Sequence, residues 1–408
     1  MKKILYILPL LLLLFTAPDA ALYAEEPGQP ADEYANIPDE LIQPAGVQET
    51  EAWPTFYTGA FPVSVAAADF NGDGITDIAV SNFNSNTISI FIGNPDGTFK
   101  DKVDIPTEDG PVAVVAADFN GDGIPDLADV AYFHGSIEVR YGRGDGTFAP
   151  PVMLCTEDGP TSLTVADFNG DGIPDLASAN LLDGSVSVFL GDGEGGFYSA
   201  GTVNTWDRPR AVVSADFDSD GKADLAVVKE GENTVSIFTG VGDGTFKHLS
   251  DISTGMGPIG LATADFNRDG KADLVVTYAG SDSYSILLGS GDGRFKRTDF
   301  KTGYDPRAVA VADFDGDGIP DLAITSLREG KVLIMLGRGD GSFAQAAALD
   351  TGGMPRGVIA AGLGGDNRTS LLVANSSVPS VTVFRNVLYQ GGQWEFRYGG
   401  EYGTGYAE

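Results

Sequence analysis

Cysteine is nearly missing from this 408-residue chain: Cys155 stands alone, which rules out an internal disulfide and a multi-cysteine zinc cage. Histidine is almost as scarce. His134 and His248 are the only two, they lie in different repeats, and neither accompanies a nucleophile motif, so no catalytic triad is expected. Basic residues are few as well: 25 Lys and Arg face 58 Asp and Glu, a net charge of −33 that repels phosphate backbones and argues against nucleic-acid binding. Helical hydrophobic spacing is absent. The apolar run from Ile4 to Phe15 falls short of the roughly 18 to 20 residues that span a bilayer, so no retained membrane span is expected.

That run, preceded by Lys2 and Lys3 and followed by small residues at Ala20, Ala21 and Ala24, has the grammar of a signal peptide over residues 1–24. Export to the extracellular space or cell envelope follows. Residues 25–52 carry Pro27, Pro30, Pro38 and Pro44 among many Asp and Glu, with no Lys or Arg, the composition of a flexible acidic linker.

What the chain has in abundance is a repeat. Asp69-Phe-Asn-Gly-Asp-Gly-Ile-Thr-Asp77 recurs from Asp118, Asp167, Asp216, Asp265 and Asp313, at steps of 49 residues and once 48; a worn seventh copy runs from Gly362 through Asp366 to Ser370. A proline precedes each copy by about seven residues (Pro62, Pro111, Pro160, Pro209, Pro258, Pro306, Pro355), and a Gly-x-Gly-Asp-Gly-type turn ending in Phe closes units one to six. Segments such as Thr87-Ile-Ser-Ile-Phe91 alternate polar and apolar residues, the period of a strand with one buried face. Each unit offers four strands, in the second unit Val112 to Ala117, Asp126 to Val130, Ser136 to Tyr141 and Thr147 to Leu154. Seven such units predict an all-β fold, a seven-bladed β-propeller of four-stranded antiparallel blades over residues 53–408, expected to be monomeric. Trp53 to Thr58 and Trp394 to Tyr398 are both able to supply the closing outer strand, and the sequence does not choose between them.

In the acidic motif, oxygen-bearing side chains sit at positions 1, 3, 5 and 9, glycine at position 6 permits a sharp turn, and position 7 offers a carbonyl. Such a crowd of hard oxygens suits Ca²⁺ better than Mg²⁺, which prefers water-rich octahedra. Two carboxylates about 5 Å apart repel by on the order of 3 kcal/mol at an effective dielectric of 20, so a loop holding three or four is strained without a cation. An EF-hand would need helical flanks and Glu at position 12, where this chain has Val80, Asp129, Ser178, Val227, Val276 and Ile324.

These loops and turns resemble FG-GAP or VCBS repeats, the units of the integrin alpha-chain propeller. The resemblance implies about six structural Ca²⁺ sites in the loops between first and second strands. Carried over residue by residue, the ligands are Asp69, Asn71, Asp73, the Ile75 carbonyl and Asp77; Asp118, Asn120, Asp122, Ile124 and Asp126; Asp167, Asn169, Asp171, Ile173 and Asp175. Units four to six contribute Asp216, Asp218, Asp220, Lys222 and Asp224; Asp265, Asn267, Asp269, Lys271 and Asp273; and Asp313, Asp315, Asp317, Ile319 and Asp321, with the seventh residue of each loop again acting through its carbonyl. The seventh unit departs from the motif and is expected to hold no metal.

Antiparallel order places the acidic loops and glycine turns at one end of the ring. At the other end the loops vary, and there Phe61, Phe83, Tyr132, Phe133, Trp206 and Tyr304 are candidate contacts for a ligand, since aromatics and Arg are enriched at recognition surfaces. Arg210, Arg307 and Arg356, each just after the register proline, are placed to ring the channel mouth and attract a carboxylate or sulfate. The favoured expectation is an exported, calcium-stabilised binding or adhesion module for an extracellular protein or glycan. A carbohydrate-binding lectin and a polysaccharide-active lyase or hydrolase are the alternatives, the enzyme disfavoured because no acid and base pair stands out. Arg143-Gly-Asp145 and Arg338-Gly-Asp340 spell an integrin-recognised tripeptide but occupy the variable slot of the repeating turn, and Cys155 reads as a small buried residue.

Overall fold

The computed structural model describes residues 55–363, 369–385, 388–390 and 393–395 of the chain. The expected signal peptide and acidic linker lie outside the described residues, as do Trp53 and Pro54, residues 396–398 and most of the seventh acidic loop. No described helix is long and apolar enough to cross a membrane.

Seven four-stranded antiparallel sheets form the blades of a ring. Each blade opens at its register proline with an innermost strand, such as Pro62–Ala68 in blade one or Pro209–Ala215 in blade four. Proline suits that place, because the first residue of a strand need not donate to the ladder. In blades one to six the second strand starts at the last Asp of the acidic motif, as in Asp77–Asn82 and Asp224–Lys229, and is buried along its length; in blade seven it starts at Thr369. A third strand follows (Thr87–Phe91, Thr234–Gly240), and then a largely exposed outer strand (Val103–Pro106, Phe246–Ser253).

Ring closure falls to the N-terminal side. Thr55–Tyr57 pairs antiparallel with Ser380–Phe384 and becomes the outer strand of blade seven, whose own repeat supplies only three strands. Gln393–Glu395 pairs instead with Leu388–Gln390 in a separate hairpin. The joint is sealed by a shared core, in which Val65, Ile78 and Phe91 of blade one pack with Ile359, Leu372 and Val383 of blade seven.

Two local expectations are corrected. The outer strand of blade two runs over Val152–Cys155, not from Thr147, because Pro150 and Pro151 lack the N–H groups a ladder needs; only an isolated bridge from Gly142 to Phe148 precedes it. Cys155 is exposed rather than buried, since side chains alternate along this outer strand and Leu154 takes the inward position.

Successive blades are joined near the acidic end by a repeated aromatic contact. The Phe at motif position 2 meets the turn Phe of the following blade edge-on: Phe70 with Phe148 at 5.4 Å, Phe119 with Phe197 at 5.8 Å, Phe168 with Phe246 at 5.4 Å, Phe217 with Phe295 at 5.9 Å and Phe266 with Phe343 at 5.6 Å. Backbone bonds reinforce these pairs, for example from Gly146 N–H to the Phe70 carbonyl at 3.0 Å and from Gly244 N–H to the Phe168 carbonyl at 3.1 Å. The two Phe positions of the repeat are therefore the rivets between blades, worth about 0.5–1.5 kcal/mol each beyond area burial.

Candidate metal centres and the opposite face

All six described acidic loops have one construction. The carboxylate at position 9 (Asp77, Asp126, Asp175, Asp224, Asp273, Asp321) is fully buried at the head of the second strand. One of its oxygens accepts the N–H of the position 2 Phe and the other the N–H of the first glycine of the same blade's turn, at 2.7–2.9 Å throughout. The turn, legible in the sequence only as a register mark, is thus what fixes this Asp.

The carboxylate at position 1 accepts the N–H of the position 6 glycine at 2.7–2.9 Å, as from Gly74 to Asp69 and from Gly221 to Asp216. Position 3 accepts the amide of position 5, in Asn71, Asn120, Asn169, Asp218, Asn267 and Asp315 alike. Position 5 accepts the amide of position 7, so that Asp73, Asp122, Asp171, Asp220, Asp269 and Asp317 hold Ile75, Ile124, Ile173, Lys222, Lys271 and Ile319 in turn. The side chains are oriented by main-chain donors, each with lone pairs left over.

The donor set fits a hard divalent cation. Two oxygens that share a Ca²⁺ at 2.3–2.6 Å lie no more than about 5 Å apart. In blade four, carboxylate oxygens of Asp216, Asp218 and Asp224 all lie within 4.8 Å of one another, and in blade six those of Asp313, Asp315 and Asp321 do the same. The position 5 carboxylates stand outside these sets, and Asp220 instead takes the Lys222 ammonium at 2.9 Å. Asp129, at position 12 of the second unit, is buried in an ion pair with Arg140 and has no part in the loop.

Burial, countered only partly by the two backbone hydrogen bonds, pushes the carboxyls of Asp126, Asp175, Asp224 and Asp273 up to about 6 and that of Asp321 to about 7; the carboxylates at the front of the loop add to the rise. Asp77 is raised for the same reasons. Two substitutions separate the architectural part of this arrangement from its charge. Asp175→Ala strands two buried N–H groups and is expected to cost about 2–5 kcal/mol with or without calcium. Asp171→Asn keeps the bond from the Ile173 N–H and gives up only the exposed one from Asn169 Nδ2, so its melting curve in chelator stays close to that of the unaltered protein while the gain from calcium shrinks. Paired thermal melts of both variants check this.

At the opposite end, each loop that enters a blade is tied to the loop between that blade's second and third strands by a hydrogen bond that recurs in all seven blades. It runs to the carbonyl just before the proline from Phe83, Tyr132, Leu181, Glu230, Ala279, Leu327 and Ser376 in blades one to seven, at 2.8–3.1 Å. The donor residue turns inward and its successor outward. Phe83 is therefore buried, with Phe61 and Tyr132 half-buried against it, whereas Phe133 is 65% exposed. Leu182, 64% exposed, follows the same rule and was missed in the sequence although the alternation was there to read. Among the described residues, seven large apolar side chains are exposed on these loops, namely Phe133, Leu182, Trp206, Met256, Tyr304, Met354 and Val378, against Val241 alone on the loops and turns of the acidic end.

Trp206 is the most informative of them. The entry loops of blades one, two, three, five and six reach positive φ at the residue before proline; those of blades four and seven do so two residues earlier, at Trp206 (φ 65°) and Gly352 (φ 76°). Glycine adopts this conformation freely, while a bulky residue loses about 1–2 kcal/mol. Trp206 is 85% exposed, so burial does not offset that loss. Its amide is pinned to the Gly184 carbonyl at 3.1 Å, which leaves the indole projecting from a fixed backbone.

Arg210 and Arg307 open the innermost strands of blades four and six. Arg210 Nε meets Glu230 at 2.8 Å, Arg307 Nε meets Asp305 at 2.6 Å, and the Arg356 guanidinium from blade seven lies 4.7 Å over the Phe61 ring of blade one.

None of the curated proteins matches this chain. Among solved structures it is similar to BBS1N, crystallised in complex with ARL6DN and soaked with lead, at a TM-score of 0.58 and 14% identity over 80% of this chain and 93% of that one. It is also similar to virginiamycin B lyase from Staphylococcus aureus (TM-score 0.55, 15% identity, 79% and 94% covered). A third is PpgL, the periplasmic gluconolactonase of Pseudomonas aeruginosa (TM-score 0.56, 17% identity, 71% and 85% covered). At these identities the likeness is one of fold, which many functions share. The FG-GAP-like repeat model matches six times, over residues 69–128, 129–178, 174–227, 216–276, 273–324 and 314–373, and the chain belongs to that repeat family.

Proposed function

We propose that the protein is an exported binding or adhesion module in which Ca²⁺ braces the acidic end of the ring and the other end recognises an extracellular protein or glycan. The observation that carries this reading is the asymmetry between the two ends. One repeats a single oxygen-rich loop in blades one to six, as a brace should; the other exposes, among the described residues, seven large apolar side chains on loops of differing sequence. Exposed aromatic anchors on a rigid frame are what recognition surfaces use. A protein partner is supported by fold analogy with BBS1N, a propeller crystallised in complex with ARL6DN.

Calcium's part in this reading is structural. It would take oxygens of positions 1, 3, 5 and 9 as ligands and so relieve the repulsion among the carboxylates. The chain's own residues do the rest: position 9 ties the loop to the turn, and the paired Phe residues tie one blade to the next.

The test is a binding screen of the calcium-loaded protein against a glycan array and a panel of extracellular proteins, repeated with Trp206→Ala and Phe133→Ala. Both side chains are exposed, so folding is spared. Any bound partner is expected to lose at least about tenfold in affinity with Trp206→Ala. Unchanged binding by both variants would move recognition away from this face.

A further inference from the structure

The apolar-studded face also holds an anomaly of charge. On the loops and strand starts of blades four and six, Arg208, Arg210, Arg307 and Arg328 share two carboxylates, while Arg356 of blade seven lies over the Phe61 ring. Glu230 serves both Arg210 at 2.8 Å and Arg208 at 3.4 Å, and Asp305 serves both Arg307 at 2.6 Å and Arg328 at 3.4 Å. The other acids of these loops are engaged elsewhere: Asp207 accepts the Glu232 N–H, Glu232 takes Lys229, and Glu329 accepts the Tyr304 N–H. In a chain with 58 acidic residues, four arginines sharing two carboxylates is not a matter of scarcity.

A second observation points the same way. Arg210 is only 4% exposed, yet its Nη1 has no acceptor among the described residues. A buried guanidinium N–H without a partner is costly, and a planar guanidinium is suited to an oxyanion. Arg210, Arg307 and Arg356 occupy the same register position, directly after the proline that opens the innermost strand, so they share one level around the ring axis.

We propose that this end of the central channel binds an oxyanion, a carboxylate or a sulfate, carried on a small ligand whose apolar or sugar-ring face meets Trp206 or Tyr304. A small ligand is favoured over a polyanion because the rest of the chain, at −33, repels extended negative charge while the arginine cluster attracts it locally. This rests on the reading of the same face as the recognition surface and names the chemistry it takes.

Ligand-observed NMR and calorimetric titration of the full chain in calcium test it, with D-glucuronate, D-glucose 6-sulfate and neutral D-glucose as probes. Glucuronate, glucose 6-sulfate or both should bind while glucose does not, and the stronger of the two identifies the oxyanion. Arg356→Gln, half-buried, and Arg328→Gln, exposed, are expected to weaken binding, the first by about tenfold. Arg210→Gln serves as a third variant if its melting curve shows a folded protein. Equal binding of glucose, no binding of either anion, or affinities untouched by Arg356→Gln and Arg328→Gln would each overturn the proposal. Loss of partner binding in Trp206→Ala alongside those results would leave the recognition face standing without its anion site.

Discussion

Moving the protein from excess chelator into millimolar calcium is expected to raise its melting temperature by about 5–15 °C. Extracellular Ca²⁺ sites bind at about 10⁻⁴ to 10⁻³ M, so at 1 mM each contributes roughly 0.4–1.4 kcal/mol by linkage. Six sites together supply about 2.5–8 kcal/mol, a large share of the roughly 5–15 kcal/mol that holds a domain folded. At about 2 °C per kcal/mol for a chain of this size, the stated range follows. Scanning calorimetry in chelator, in calcium and in magnesium measures it. Magnesium should do less, because it gives up its waters reluctantly. A melting temperature unmoved by calcium would leave the loops as turns held by their own amides.

The second large effect is one of pH, and its sign depends on the metal. In the folded, metal-free chain the carboxyls of Asp126, Asp175, Asp224 and Asp273 are raised to about 6 and that of Asp321 to about 7, above their ordinary value of 3.8. A raised carboxyl favours the protonated folded state. Its contribution is complete below pH 3.8 and is lost as pH rises through 6 to 7. In chelator, then, the protein melts several degrees higher near pH 5 than near pH 8, each pKa unit being worth about 1.4 kcal/mol. Calcium binds the ionised form, so in its presence the slope flattens or reverses. Melting curves from pH 5 to 8 with and without calcium should cross or converge; parallel curves would mean that the cation does not sit on these carboxylates.

Much of this was legible in the sequence because the repeat writes the same physics several times. The 49-residue step and the proline mark the innermost strand of every blade, and the acidic loop marks the start of the second strand in blades one to six. What was not legible depends on long-range geometry. Closure by Thr55–Tyr57 is decided by which terminus reaches Ser380–Phe384, some 325 residues away, and two short strand-prone segments look equivalent until then. Phe83 and Phe133 sit in matching loops one step apart, and the bond from Phe83 N–H to Phe61 fixes which of the two alternating positions turns inward.

Trp206 makes the same point from the other side. Every entry loop ends in a proline, so the sequence gives no sign that the bend in blade four falls two residues earlier than in most blades, on a tryptophan. The pairing of motif Phe with turn Phe across blades is likewise invisible within one unit, because it joins a residue to its neighbour's repeat rather than to its own. For the same reason what the sequence carried is the FG-GAP repeat and the ring, which are built from these local rules, and not a ligand.

The central claim is that each of six acidic loops holds a structural calcium ion. Equilibrium dialysis of the purified protein against millimolar calcium, followed by elemental analysis, tests it most directly. About six ions per chain are predicted, falling to about five in Asp171→Asn; fewer than three, with the protein still folded, would contradict it.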